Sequence, residues 1–199
     1  MNKHVDPRTV PATTLAAEGM PRRKWTYDDV LKADEAGEFD PDDRFELIGG
    51  ELVPMAAKGI RHEIVRDELN MYWGTRRPAH LKFSAETPLR LSKFDVPEPD
   101  FIIRPASLKL TETDGSTVLL AVEVAATSLP RDTGIKLRLY AEFGVREYWV
   151  IDAQTLVTTI YKQPSAAGYG SRVEIPPTQS LVPEAAPEMR VRLADLPID

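Results

Sequence analysis

Asp100, Glu123 and Lys136 are the residues whose types and placement could do chemistry. Asp100 follows Pro97-Glu98-Pro99 and precedes the apolar run Phe101-Ile102-Ile103, which fixes it where an extended segment becomes a central strand. Glu123 lies inside a second apolar run, Val118 to Ala126, where an ionised carboxylate is costly unless a cation or donors meet it. Two carboxylates on neighbouring strands can hold a hard divalent cation such as Mg²⁺, with Mn²⁺ as a substitute. Such a cation activates water and clamps a phosphate oxygen, while a lysine beside it positions the water or offsets developing charge. The chemistry implied is phosphodiester hydrolysis. Spacing alone does not require the Asp of one strand to approach the Glu of another.

The elements that must position these groups lie mainly between Val118 and Asp152. The stretch reads as strand, short loop, helix, glycine stop and second strand. Pro130 suits a first helical turn, Asp132 suits a cap or first turn, and Gly144 suits the left-handed residue past the end. Asp132, Lys136 and Tyr140 fall at four-residue steps on one helix face, beside an expected apolar stripe of Ile135, Leu139 and Phe143. A strand–helix–strand unit of this length predicts that Val118–Ala126 and Glu147–Asp152 are parallel neighbours with the helix across them. That arrangement turns Lys136 back toward Glu123.

The rest of the chain supplies a frame. Residues 1–21 are read as a flexible tail, followed by the basic trio Arg22-Arg23-Lys24 and a short helix capped by Thr26 or Asp28. Residues 22–199 are read as a single domain, irregular from about residue 176. Arg44 to Met55 predicts a hairpin turning at Gly49-Gly50, in which Glu46 and Glu51 taken alone face solvent. Lys58-Gly59 leads into a helix from Ile60 to Trp73, with Ile60, Ile64, Val65, Leu69 and Tyr72 buried and His62 in its first turn. Leu81 to Leu91 predicts a kinked strand, Leu156 to Lys162 pairs with Gly168 to Ile175, and Met189 to Leu196 predicts one more strand and turn.

The 199 residues carry a formal net charge of -6, which argues against coating nucleic acid by bulk charge. A local basic face would have to come from Arg61, Arg66, Arg76, Arg77, Lys82, Arg131 and Arg138. With no cysteine, disulfides, thiolate metal sites and cysteine nucleophiles are excluded. No stretch has the composition of a membrane span or signal core, so a soluble cytoplasmic protein is the expectation.

The order Phe45-Glu46-Leu47-Ile48-x-Gly50-Glu51, His62, Pro99-Asp100, Glu123-Val124, Asp132, Lys136, Tyr140 and Gly144-Val145-x-Glu147-Tyr148-Trp149-Val150-Ile151-Asp152 resembles a bacterial restriction-endonuclease-like family. That family, formerly a domain of unknown function and expanded in cyanobacteria, belongs to the PD-(D/E)XK nuclease superfamily. The resemblance covers roughly Trp25 to Tyr161. It implies an α/β fold, a mixed central sheet flanked by helices, with metal ligands at Asp100 and Glu123. The superfamily lysine usually stands two residues after the second acid, where this chain has Ala125; the resemblance moves its role to Lys136. It also implies that Glu46 is an additional metal ligand or a metal-orienting group, and His62 matches a histidine of the family. The loop Ala126-Thr127-Ser128-Leu129-Pro130 is less polar than the family's usual Ser-Pro-Ser-Thr-like loop. The implied activity is Mg²⁺-dependent cleavage of DNA by a homodimer. A non-catalytic binding module on the same fold and a hydrolase of smaller phosphate esters are the other readings.

Overall fold

The computed structural model describes residues 23–55 and 57–198. The expected tail and Arg22 lie outside the described residues. A six-stranded sheet runs in the order β3 (Leu81–Ala85), β4 (Phe101–Pro105), β5 (Leu120–Ala125), β6 (Glu147–Asp152), β7 (Thr158–Ser165), β8 (Gly168–Ile175). β5 and β6 are parallel, in register Glu123↔Val150, and the other neighbouring pairs are antiparallel. Every residue of β5 is buried, as its unbroken apolar run requires of a strand covered on both faces.

Alternation along β5 sends Leu120, Val122 and Val124 to one face and Ala121, Glu123 and Ala125 to the other. On the first face lies α2 (Ile60–Arg76), whose Val65, Leu69 and Trp73 pack on Phe101, Val122 and Trp149. The Trp73 and Phe101 rings meet edge to face at 5.4 Å, and the Trp73 indole N–H donates to the Met189 carbonyl at 2.7 Å. On the second face lies a helix in three continuous segments: α3 (Leu129–Arg131), a π-helical turn (Asp132–Lys136) and α4 (Leu137–Glu142). Tyr140 packs there with Ile102, Ala121, Tyr148 and Val150.

Outside this sheet, α1 (Tyr27–Glu35) begins with a capping box in which Thr26 Oγ1 accepts from the Asp29 amide at 3.2 Å and Asp29 accepts from the Thr26 amide at 3.0 Å. The hairpin β1 (Phe45–Ile48) and β2 (Glu51–Pro54) turns at Gly49 and Gly50, with φ of 62° and 82°. Two consecutive positive φ values are what a two-residue hairpin turn demands. The hairpin is tied to the main body by the Leu47↔Val96 bridge.

Several expectations are corrected. Ile60 is 78% exposed, because the buried stripe of α2 is His62, Val65, Leu69 and Trp73. Ile135 is 43% exposed, since the face carrying Asp132, Lys136 and Tyr140 is the one turned to the sheet. Glu46 is 1% exposed, a consequence of the hairpin folding over the sheet end. β3 stops at Ala85 instead of reaching Leu91, and Met189–Leu196 forms an isolated Leu181↔Val191 bridge and a 3-10 turn instead of a strand. Gly115 lies against the C-terminal end of α4, where an added Cβ would collide with the Phe143 carbonyl oxygen. Gly115→Ala is expected to cost about 1–3 kcal/mol through overpacking, read as a lowered melting midpoint.

Candidate active site

The antiparallel register that pairs Phe101 with Val122 places Asp100, one residue before β4, beside Glu123, one residue further along β5. Asp100 therefore reaches β5 directly: its Oδ2 accepts from the Val124 amide at 2.8 Å. Its two oxygens also lie 3.1 and 3.2 Å from His62 Nε2, delivered by the first turn of α2 from the opposite face. Burial alone would raise the Asp100 pKa, but the His62 hydrogen bond and charge, Lys58 and the Val124 amide outweigh it and hold the carboxyl below its usual range.

Glu123 faces the helix. Its Oε1 accepts from Lys136 Nζ at 2.9 Å and from the Tyr140 hydroxyl at 3.0 Å. Lys136 Nζ also lies 2.8 Å from Glu46 Oε1, which accepts from the Glu98 amide at 2.7 Å, and 4.0 Å from Asp132 Oδ1. Four-residue steps through the π-helical turn bring Asp132, Lys136 and Tyr140 onto the sheet-facing side together, all buried. Burial disfavours the Lys136 ammonium, yet Glu123, Glu46 and Asp132 more than compensate and lift its pKa above the ordinary lysine range. Burial, reinforced by the neighbouring acids, lifts Glu123 well above the usual carboxylate range and Asp132 above it as well, despite Lys136. One ammonium among three buried acids leaves the cluster with a net affinity for protons, which belong to the group as a whole.

The acids, His62 and Lys136, though not Tyr140, line one cleft with ≈ 50 Å³ of water-accessible space, together with Lys58, Glu98 and Arg131. Asp100, Glu123, Lys136, Glu46 and His62 are thus brought to one place. Of the seven basic residues named from the sequence, Arg131 reaches the cleft, 3.8 Å from Glu46 Oε2. Arg61, Arg76 and Arg77 are engaged with backbone carbonyls, and Arg66 with Glu63. Lys58 was not among the candidates. It bonds Asp100 Oδ1 at 3.1 Å and the Glu86 carboxylate, and the only sequence signal for it is a loop lysine just before a helix start. Asp132, which a cap would have explained, is instead fully packed against the cluster.

The donor set suits a hard cation. Glu46 Oε2 and Asp132 Oδ2 are buried without a hydrogen-bond partner, and both hydrogen bonds of Glu123 fall on Oε1. Among the described residues no three acids or histidines converge as a ready-made cation cage; the Lys136 ammonium lies between Glu46 and Glu123, and the Lys58 ammonium against Asp100.

A sequence model of the Uma2 family, described as "Putative restriction endonuclease", matches residues 28–195. The chain belongs to the Uma2 family. The match takes in every site residue from Glu46 to Tyr140. A solved structure titled as a putative nuclease belonging to DUF820 from Anabaena variabilis superposes with a TM-score of 0.63 at 15% identity, covering 85% of this chain and 96% of that one. The two share a fold. Comparison with curated proteins finds no match. No helix among the described residues is long and apolar enough to cross a membrane.

Proposed function

We propose that this cleft is a Mg²⁺-dependent phosphodiesterase centre that cuts DNA, with Mn²⁺ as an alternative ion. The observation that carries the reading is the joining of Asp100 and Glu123 from adjacent strands, with Lys136 bridging Glu123 and Glu46. Asp100 and Glu123 would hold the ion, and Glu46, joined to Glu123 through Lys136, would orient the site. When bound, Mg²⁺ lowers the pKa of a water and neutralises phosphate charge. Lys136 stays protonated in this acidic surrounding, so its part is to hold the acid cluster together and orient a water, and proton removal falls to another group. His62, between Asp100 and Glu63, fixes the Asp100 carboxylate by its Nε2 contact.

The cleft's small water-accessible space favours a substrate lying across its mouth over an enclosed small ester, since sites that engulf a ligand run to about 300 Å³ or more. DNA supplies such a substrate, and the family description agrees. Two copies related by a twofold axis would give one centre per strand. The test is incubation of supercoiled plasmid with the full chain and Mg²⁺ or Mn²⁺, alongside a chelator control. Nicked and linear products that vanish with chelator are expected; intact plasmid under all conditions sinks the reading.

The raised Glu123 and Asp132 pKa values give a second expectation. Where the folded site holds protons above the usual carboxylate range, Mg²⁺ must displace them, so its affinity rises as pH climbs above that range. Calorimetric titration in buffers of different ionisation enthalpy should register net proton release on Mg²⁺ binding, diminishing as pH rises. Affinity that does not change with pH would contradict the protonated cluster.

A further inference from the structure

Lys58 occupies the loop between β2 and α2, and its ammonium lies between Asp100 Oδ1, at 3.1 Å, and the Glu86 carboxylate. Its side chain is 16% exposed, so this is no solvated surface pair. The two carboxylates flank the ammonium at the cleft wall. Glu86 is held in turn by an unusual backbone. It leaves β3 with φ of 46°, a left-handed conformation that glutamate seldom adopts, and its amide donates to the Asp100 carbonyl at 3.1 Å. Strain of this kind persists where the surroundings fix it, and it gathers at functional sites.

The other buried lysine is not available for a substrate. Lys136 is clamped by Glu46 and Glu123 at 2.8 and 2.9 Å from a helix packed on the sheet. Lys58 instead sits on a connecting loop, beside the start of α2, where Gly59 provides no side-chain cap for the first amides.

We propose that Lys58 is a catalytic residue that binds a backbone phosphate of DNA at the cleft, exchanging its Asp100 contact for a phosphate oxygen, with Glu86 as the competing anion. This rests on the phosphodiesterase reading and gives the two lysines separate tasks: Lys136 serves the acid cluster and Lys58 serves the substrate. A lysine placed as a flexible point charge suits an exchange of one oxyanion for another.

The experiment measures binding of a fluorescent 20-base-pair duplex with cleavage-resistant phosphorothioate linkages, in Mg²⁺ across a NaCl series. The full chain is compared with Lys58→Ala, Lys58→Arg and Glu86→Gln, each checked for its melting midpoint. Lys58→Ala should weaken binding by roughly tenfold and reduce the magnitude of the log–log salt slope by about 0.9, the loss of one phosphate contact. Lys58→Arg should retain the slope, and Glu86→Gln should bind more tightly than the unaltered chain. A purely structural ion pair would make Lys58→Ala and Glu86→Gln change in the same direction. An unchanged affinity and slope in Lys58→Ala overturns the proposal, as does a full chain that binds no duplex. If the duplex binds as expected while plasmid is never cut, the Lys58 contact stands and the phosphodiesterase reading falls.

Discussion

Glu123→Gln is expected to reduce plasmid cleavage by roughly a thousandfold or more while leaving the fold intact, the scale at which loss of a principal electrostatic group is felt in catalysis. The substitution keeps the shape of the side chain and preserves an acceptor for the Tyr140 hydroxyl and Lys136 Nζ, both now on Glu123 Oε1. What it removes is the negative charge that a cation needs from this strand. Asp100→Asn should act in the same way on activity, with the Val124 amide still able to find an acceptor oxygen. Two measurements separate lost chemistry from lost structure. Calorimetry should register weakened Mg²⁺ binding in both variants, and thermal melts should stay close to the unaltered protein. Cleavage at normal rates by Glu123→Gln would remove the acid pair from the mechanism.

Glu123 was legible in the sequence because a charge inside an uninterrupted apolar strand needs a partner, and helical steps from Asp132 to Tyr140 offered Lys136 as that partner. The parallel pairing of β5 and β6 was legible for a similar reason: the connection is too long for a hairpin and carries its own helix. Asp100 followed from the proline-bounded approach to β4. Glu46 was legible only through the family resemblance. Within the hairpin, Glu46 and Glu51 look equivalent, and only the docking of that hairpin over the sheet end buries one and exposes the other. Lys58 and Glu86 gave no periodic signal at all, since both lie where the chain has left its regular elements. Periodicity reports which face of an element is covered; it does not report which loop crosses the end of the sheet. The exposed Ile60 and Ile135 show the same limit, because an apolar residue at a helix start or on an outer turn fits the pattern without being under anything.

Lys136→Met should be the most destabilising single change at the site, costing about 3–5 kcal/mol, because it leaves buried acids without their cation. Lys136 is 4% exposed and lies within 4.0 Å of Glu46, Glu123 and Asp132, so no water shell is at hand to replace it. For a chain of this size the melting midpoint falls by about 2–4 °C per kcal/mol. The pH dependence provides the sharper test. Glu123 and Asp132 already have folded pKa values above their ordinary 4.5 and 3.8, so the folded state binds more protons than the unfolded one, and stability declines as pH rises above those values. Removing Lys136 raises these pKa values further, which steepens the decline: Lys136→Met should be closer to the unaltered protein at pH 5 than at pH 8. Adding Glu46→Gln to Lys136→Met removes one of the uncompensated charges and should recover part of the stability at pH 8, a coupling that a double-mutant cycle measures. Equal losses at both pH values, with no recovery in the double variant, would mean that Lys136 contributes through packing of its aliphatic stem instead of through its charge.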